Sequence, residues 1–146
     1  MRAADVPQIV SIAAGLNDAP HWPQSAYLAA LDPAAAPQRI ALVAVSNPSG
    51  DIAGFAIASL IPPQAELESI AVRSDEQRQG IGSKLLAGLI SELRAAAIKE
   101  FMLEVRASNR TGIAFYEAQG WKQSGLRPRY YAHPEDDAIL MSLSLG

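Results

Sequence analysis

Hydrophobic residues recur at helical spacing in four segments of the chain. The clearest segment is 82–97, where apolar positions three and four residues apart fall on one face of a helix. That face carries Leu85, Leu86, Leu89, Ile90 and Leu93. The same spacing predicts helices over 5–16, 25–31 and 109–119. Gly120 ends the last of them.

Six other segments are rich in β-branched and apolar residues and predict strands. They are 39–46, 52–60, 66–72, 101–106, 121–131 and 138–145. The first two flank Asn47-Pro48-Ser49-Gly50-Asp51, which has the composition of a hairpin turn. The order is therefore α-α-β-β-β-α-β-α-β-β, which predicts an α/β fold with one mixed sheet and helices on both faces. We expect residues 1–146 to form a single domain.

Composition narrows the classes of function. The 146 residues carry 12 Lys and Arg against 15 Asp and Glu, giving a net charge of −3, and include no Cys. A chain without Cys forms no disulfide and no cysteinyl acyl-enzyme, and it suits a reducing cytoplasm. The acidic balance argues against broad nucleic-acid binding. The longest uncharged segment, 52–65, is interrupted by Pro62 and Pro63 and is shorter than the ~18 residues of a membrane span.

The loop before the predicted helix 82–97 has the features of an anion site. Gly80 and Gly82 allow positive φ angles and a close approach of the backbone, and the first amides of a helix have no partner within it. Arg78 and Lys84 add positive charge. The glycine spacing fits neither a dinucleotide fingerprint nor a P-loop. A Gly-rich helix start that binds no ligand is the alternative interpretation.

Three runs of residues together resemble the GNAT superfamily of N-acetyltransferases. They are Gln77-x-x-Gly80-x-Gly82, Leu103-Glu104-Val105-Arg106-Ala107-Ser108-Asn109, and Ala114-Phe115-Tyr116-Glu117 with Gly120-Trp121. A narrower set resembles the ribosomal-protein-alanine N-acetyltransferases, which acetylate the α-amino group of a protein N-terminus. This set is Glu104 to Asn109, Arg129-Tyr130-Tyr131 and Asp137-Ala138-Ile139-Leu140-Met141. The resemblance covers 66–141 and implies the GNAT fold, a mixed, mostly antiparallel sheet with a splayed parallel strand pair.

The resemblance also implies acetyl-CoA as co-substrate and the residues that bind it. Main-chain groups of Ile70, Ala71 and Val72 would bind the pantetheine arm between the splayed strands. The pyrophosphate would lie in the loop formed by Arg78, Gln79, Gly80, Ile81, Gly82 and Ser83. Asn109 would contact the pantetheine region, and the alternative for Asn109 is an ordinary helix N-cap.

By the same resemblance, Glu104 is the general base, acting through water, and Tyr116 protonates the leaving thiolate. Each has a structural alternative, because Glu104 fits the wetter face of a sheet and Tyr116 fits a hydrophobic core. Glu68 is the reserve candidate for the base, since relatives outside the narrower group often keep a base on that strand. The oxyanion donor is expected to be a main-chain N–H near Val72.

The expected acceptor is the α-amine of a protein, for which a ribosomal protein is the leading candidate. A small amine, such as an antibiotic, polyamine or amino acid, is one alternative, and a non-catalytic acyl-CoA-binding module is another. In an extended segment only one of Tyr130 and Tyr131 would line the acceptor groove. His21 and His133 lack metal-ligand spacing, so we expect no metal. We also expect no nucleic-acid or membrane partner, and a cytoplasmic monomer or homodimer.

The sequence departs from the family pattern in two places. The segment 1–5 leaves barely three residues for the strand that usually precedes the first helix, so this strand is vestigial or the sequence starts late. The segment 131–137 is short, which predicts a wide acceptor mouth. Its Glu135, Asp136 and Asp137 either attract a basic peptide or are simply solvated.

Overall fold

The computed structural model describes residues 1–16, 19–46, 49–77 and 79–146, and every predicted helix and strand is present in the predicted order. The helices are α1 (Val6–Ala14), α2 (Gln24–Ala30), α3 (Ile81–Ala95) and α4 (Arg110–Ala118). The strands are β1 (Gln38–Val45), β2 (Ile52–Ile61), β3 (Gln64–Val72), β4 (Glu100–Arg106), β5 (Lys122–Ala132) and β6 (Glu135–Ser144). The last strand begins at Glu135 instead of Ala138, and positions 47 and 48 of the predicted hairpin turn lie outside the described residues.

The six strands form one sheet in the order β1-β2-β3-β4-β6-β5. Every neighbouring pair is antiparallel except β3 and β4, which run parallel. Their ladder is short and pairs Gln64 with Glu100, Ala65 with Phe101, and Glu66 with Met102. Because β3 continues to Val72 and β4 to Arg106 with no further pairing between their described residues, the two strands splay apart. The predicted splayed parallel pair is therefore confirmed.

Helices cover both faces of the β1–β3 half of the sheet. α3 lies on one face, where Leu89 is fully buried in a cluster that also contains Trp121 and Tyr116. α1 and α2 lie on the other face, over a second cluster that includes Ile9 and Phe55. Truncating a large buried side chain of either cluster to Ala would cost about 2–5 kcal/mol.

The half of the sheet formed by β4, β6 and β5 is covered differently. On the face next to Trp121, its side chains are part of the cluster under α3 and α4. Among the described residues, the cluster under α1 and α2 contains no residue from these three strands. The face that carries Glu104 is therefore open, and β5 is exposed along most of its length.

A β-bulge at Glu68 changes which side chains of β3 face each helix layer. Consecutive β2 residues Ile57 and Ala58 pair with Ser69 and Leu67. Glu68 is the extra residue, and an extra residue reverses the alternation of the strand. Leu67 before the bulge and Ile70 after it both pack on the α3 side, whereas Ala71 is buried on the α1 side.

The chain start follows the predicted departure from the family pattern. Ala3–Asp5 form a 3-10 turn that leads into α1, so the described residues include no strand before this helix. The Met1 ammonium donates a hydrogen bond to the carbonyl of Ala41 in β1, at 3.1 Å. Among the described helices, none has the length and apolar character needed to cross a membrane.

Candidate active site

A cavity of about 280 Å³ lies where β3 and β4 splay apart, and we call it the cleft. Its walls include Ile70 from β3, Glu104 from β4, Tyr116 from α4, and Asn109 at the start of α4. Glu104, the predicted base, and Tyr116, the predicted acid, thus both line the cleft. They reach it from different layers, because Tyr116 belongs to the cluster under α3 and Glu104 lies on the opposite face of β4.

A second cavity, of about 540 Å³, lies at the start of α3, and we call it the loop cavity. Gly80 and Gly82 are part of its wall. The first helical bond of α3 runs from Lys84 N to Gly80 O, at 3.1 Å, so the amides that precede Lys84 have no partner within the helix. The cleft and the loop cavity share Ile70 and Asn109, and the two spaces therefore adjoin.

Gly80 is the N-cap of α3 and has a positive φ angle of 77°. A non-glycine residue is strained in this left-handed region. A Cβ built on Gly80 meets no described atom within 4 Å, so a side chain there would project into open space at the loop cavity. Glycine at this position keeps the backbone accessible.

The first turn of α3 is braced against α4. A Cβ on Gly82 would lie 3.3 Å from Cζ of Phe115, so even alanine there would require the Phe115 ring to shift by a few tenths of an ångström. Gln119 Nε2 donates a hydrogen bond to Ser83 Oγ, at 3.0 Å. Because the Ser83 oxygen accepts this bond, its own hydrogen is free to be donated to an anion.

The loop between β3 and α3 is fastened to the end of β3. Gln77 Nε2 donates to the carbonyl of Val72, at 3.0 Å. The Glu76 carboxylate accepts from Ser46 Oγ, also at 3.0 Å, and lines the loop cavity. Gln77, which belongs to the sequence motif, therefore has a structural role in closing the loop.

Asn109 caps α4. Its Oδ1 accepts a hydrogen bond from the Gly112 amide, at 2.9 Å, which confirms the N-cap interpretation. Such a cap contributes about 0.5–2 kcal/mol to stability. Asn109 also lines both cavities, so the predicted contact with pantetheine stays a prediction that this position allows.

Most residues predicted to bind acetyl-CoA are brought together around the loop cavity. Its walls include Ile70, Val72, Gly80, Ile81, Gly82, Ser83 and Asn109. Ala71 is buried on the opposite face of β3, so only its main chain could take part. Gln79 is exposed and is not part of the described wall. Arg78 lies outside the described residues.

Glu104 is 22% exposed and borders the open face of the sheet. Its Oε1 lies 3.5 Å from Nε of Arg127 in β5. The neighbouring Glu104 carboxylate raises the pKa of the Tyr130 hydroxyl, by hydrogen bonding and by its charge. Burial, followed by the charges of Glu104 and Glu68, raises the pKa of Glu66. Three carboxylates therefore gather on this side of the splayed strands.

Glu68 is held by an ion pair on the α1 and α2 side of the sheet. Arg39 Nε donates to its Oε1 at 2.7 Å, and Arg39 Nη2 donates to its Oε2 at 3.4 Å. Both side chains are mostly buried, with 23% and 19% exposure. Glu68 lines the cleft, but its two oxygens are already engaged.

Tyr116 is both a core residue and part of the cleft wall. It is 9% exposed and packs against Phe115 and Trp121, with ring centroids 5.3 and 5.7 Å away. Burial raises its pKa to about 12. Tyr116 is therefore protonated at any physiological pH, as a proton donor must be.

Sequence reasoning singled out Tyr130 and Tyr131 for the acceptor side of the cleft but gave no role to Arg106. Tyr131 and Arg106 line the cleft, whereas Tyr130 is 50% exposed. The two rings contact each other, with centroids 5.1 Å apart, so the side chains do not alternate across the strand as predicted. The register shift and the positive φ of Arg129 interrupt the regular strand just before this pair. Arg106 lies inside the family motif, which is the signal that could have drawn attention to it.

The acidic residues after Tyr131 are mainly structural. Asp136 accepts hydrogen bonds from Ser108 Oγ at 2.6 Å and from Ser108 N at 3.2 Å, and this contact lowers the pKa of Asp136. Asp137 Oδ1 accepts from the amide of Arg129, at 2.9 Å. These residues begin β6 instead of forming a loop, and Glu135 stays solvated, with 67% of its side chain exposed.

Comparison with known proteins agrees with this geometry. The sequence profile of the acetyltransferase (GNAT) family matches residues 9–121. The chain belongs to the GNAT family of acetyltransferases. It is an acetyl-CoA-dependent N-acetyltransferase, and the matched region runs from α1 to the end of the α4 turn.

Similar sequences and similar solved structures show which members of the GNAT family this chain resembles. It is 42% identical over 100 residues to the [ribosomal protein bS18]-alanine N-acetyltransferase of Escherichia coli strain K12, a match that spans 67% of this chain and 68% of that protein. The crystal structure of the ribosomal-protein-S18-alanine N-acetyltransferase from Escherichia coli superposes with a TM-score of 0.84 and 32% identity, covering 100% of this chain and 91% of that one. Ard1 from Thermoplasma volcanium superposes with a TM-score of 0.85 and 25% identity, covering 99% and 93%.

Proposed function

We propose that this GNAT enzyme transfers the acetyl group of acetyl-CoA to the N-terminal α-amine of a protein, with a ribosomal protein as the first candidate. One observation carries the proposal. Glu104 and Tyr116 line a single cleft, and this cleft adjoins the cavity formed by the glycine loop of α3. An acyl donor held by the loop would therefore present its reactive end between a base and an acid.

The residues around the two cavities fit acetyl-CoA. Main-chain groups at the edges of β3 and β4 are unpaired after Glu66 and Met102, so an extended pantetheine arm can bond to them. The free amides of the first turn of α3 and the Ser83 hydroxyl suit a diphosphate, helped by the helix dipole. Arg78, Gln79 and Lys84 are close enough in sequence to add polar contacts.

When bound, acetyl-CoA supplies an activated thioester carbonyl and a thiolate leaving group. Glu104 accepts the proton of the attacking amine, directly or through one water. The α-amine has a reference pKa of about 7.7–8.0, so a modest base is sufficient near neutral pH. A main-chain N–H near Val72 donates to the oxygen that becomes negative during attack. The chain forms no covalent intermediate in this scheme.

Tyr116 stabilises the departing sulfur by donating a hydrogen bond. Full transfer from a phenol of pKa about 12 to a thiolate whose acid has a pKa of about 8.5 is uphill by about 5 kcal/mol. The high pKa of Tyr116 therefore favours a hydrogen-bond donor that stays protonated, with the final proton coming from water. Its position in the cleft wall allows this role because the donor is fixed before the reaction begins.

The part of the cleft that would receive the acceptor favours a peptide over a small amine. Tyr131 and Arg106 line the cleft next to the open face of β4, β6 and β5, which leaves room for an extended chain to reach Glu104. The relative that is 42% identical is named for acetylation of an alanine of ribosomal protein bS18. We therefore assign the α-amine of an alanine-initiated ribosomal protein as the preferred acceptor.

The proposal is tested by thiol release from acetyl-CoA with a panel of acceptors. An alanine-initiated peptide with the N-terminal sequence of bS18 should be acetylated on its α-amine, as located by mass spectrometry. The same peptide with a blocked N-terminus but free lysines is the matched control and should not react. Acetylation of small amines with the peptides left untouched would overturn the acceptor assignment.

A further inference from the structure

The last residue of β4, Arg106, contacts the β5–β6 turn in three ways. Its Nη1 donates to the carbonyl of Pro134 at 2.8 Å, and its Nη2 donates to the carbonyl of His133 at 3.4 Å. Its guanidinium carbon lies 4.2 Å from the centroid of the Tyr131 ring. A planar guanidinium can donate in its own plane while its face stacks on an aromatic ring, which the ammonium of lysine cannot reproduce.

The turn needs such anchors because the ladder that leads to it is interrupted. β5 and β6 pair at Arg127 with Ala138 and again at Tyr131 with Asp136, with a register shift between these two points. Arg129, inside the shift, has a positive φ of 52°. Pairs Tyr131–Asp136 and Ala132–Glu135 close the turn itself, but the irregular step before them leaves the turn joined to the rest of the sheet by an interrupted ladder.

A second set of contacts holds the opposite side of the same turn. Ser108 donates to Asp136, and the amide of Ala107 donates to the carbonyl of Asp137 at 2.9 Å. Together with Arg106, these contacts bind the β4–α4 loop to the start of β6. The loop that leads to Asn109 and α4 is thus attached to the wall that carries Tyr131.

We infer that Arg106 is a positioning residue for the acceptor: it holds the β5–β6 turn and the Tyr131 ring in place as one wall of the cleft. Arg106 acts through Tyr131, which lines the cleft beside Glu104. Fixing this wall before the acceptor arrives removes an ordering cost that binding would otherwise carry. The inference rests on the proposed function, since it assigns this wall to the acceptor side.

The experiment compares Arg106→Gln and Arg106→Lys with the wild-type enzyme, using the bS18 peptide as acceptor. We expect Arg106→Gln to raise the KM for the peptide about tenfold, the scale of one lost charged hydrogen bond, with kcat within about twofold. Arg106→Lys should recover only part of the loss. The Kd for acetyl-CoA, measured by calorimetry, should not change, because Arg106 is not part of the loop cavity wall.

Arg129→Gln is the matched control on the same hairpin. Arg129 pairs with Glu135 at 3.3 Å, is 84% exposed and is not part of the cleft wall, so its loss should leave the peptide KM unchanged. Hydrogen exchange adds a readout on the free protein. Amides of 129–137 should exchange faster in Arg106→Gln, with α3 unaffected.

Coupling to Tyr131 is tested by the double variant. If Arg106 acts through the ring, Arg106→Gln combined with Tyr131→Ala should raise the KM little more than Tyr131→Ala alone. An unchanged KM in both Arg106 variants, or additive effects with Tyr131→Ala, would overturn the inference. Failure of the proposed function is a separate outcome, because the wild-type enzyme would then not acetylate the peptide at all.

Discussion

The two halves of the sheet differ in how they are covered, and the reactive groups lie where the halves meet. In the β1–β3 half, α3 packs on one face and α1 and α2 on the other, and β2 is buried from Ile52 to Ser59. In the β4–β6–β5 half, the face of Glu104 is open and β5 is largely exposed. The loop cavity lies at the edge of the covered half, between the start of α3 and α4, and the open half gives an acceptor access to the cleft.

Two glutamates from the two halves illustrate the difference. Glu68 belongs to the covered half, where Arg39 engages both of its oxygens. Glu104 belongs to the open half, where its partner Arg127 is 54% exposed and lies 3.5 Å away. Arg39 engages both Glu68 oxygens, whereas the Arg127 contact involves one Glu104 oxygen and a solvated partner, so an incoming amine can approach Glu104 more easily, which favours Glu104 as the base.

The largest expected effect comes from Tyr116, which joins the two halves in the cleft. Tyr116→Phe removes the hydrogen-bond donor and keeps the ring that packs against Trp121. We expect kcat to fall by roughly 10²–10³, the scale of one lost transition-state hydrogen-bond donor, with the Kd for acetyl-CoA unchanged. Thiol release and calorimetry measure the two quantities. A wild-type kcat would leave Tyr116 with its core role alone.

A pair of glycines tests whether the covered half binds acetyl-CoA through the α3 loop. Gly80 and Gly50 both have φ of 77°, and neither has a described atom within 4 Å of a built Cβ. Valine at either position should therefore cause similar strain, about 1–2 kcal/mol in unfolding free energy. Only Gly80→Val should weaken acetyl-CoA binding, by about 100-fold, since it removes access to several charged hydrogen bonds.

Calorimetric titration with acetyl-CoA, together with urea unfolding of each variant, separates binding from stability. Equal affinities in Gly80→Val and Gly50→Val would place the diphosphate elsewhere on the molecule.

Replacing Glu104 or Glu68 by glutamine should have a smaller effect on catalysis and tests which half of the sheet supplies the base. Glu104→Gln should lower kcat/KM by about ten- to a hundredfold at pH 7, and the deficit should shrink above pH 8 as the amine deprotonates itself. Glu68→Gln should mainly destabilise the fold, by about 1 kcal/mol, because Arg39 loses its partner. Profiles of kcat/KM against pH decide between them. A larger catalytic loss in Glu68→Gln would make Glu68 the base.

Hydrophobic periodicity predicted the helices, and β-branched and apolar composition predicted the strands apart from the start of β6. The stripe from Leu85 to Leu93 is buried against β1–β3, as its spacing predicted. The splayed pair was predicted from the family resemblance and is seen where the β3–β4 ladder stops. The bulge at Glu68 was not predicted, because the insertion of one residue depends on pairing with β2 and leaves no local signal in the sequence.

The site was predicted less completely than the fold. The glycine loop and Asn109 were found because their chemistry is local: positive φ at Gly80 and a cap on the next helix. Arg106 and Asp136 were missed as structural partners because their contacts join segments that are about 28 residues apart in sequence. Such long-range side-chain contacts depend on the assembled sheet.

The smallest expected effect is on the unfolding free energy at high pH, and it follows from the pKa of Tyr116. This pKa is about 12 in the folded protein and about 10 in an unfolded chain. A raised folded pKa contributes stability that is complete below pH 10 and is lost as the pH rises through 12. At pH 11 about 1.4 kcal/mol of this contribution should be gone.

The measurement is the unfolding free energy of wild type and Tyr116→Phe in urea, at pH 9 and pH 11. The other ionising groups are the same in both proteins, so their effects on the unfolding free energy cancel in the difference. Between pH 9 and pH 11 the wild type should therefore lose ~1.4 kcal/mol more than Tyr116→Phe. Tyr130→Phe, on the open half, is the matched control and should change the pH dependence less, because Tyr130 is 50% exposed. If the wild type loses no more stability than Tyr116→Phe between pH 9 and pH 11, the Tyr116 hydroxyl is solvated in the folded protein.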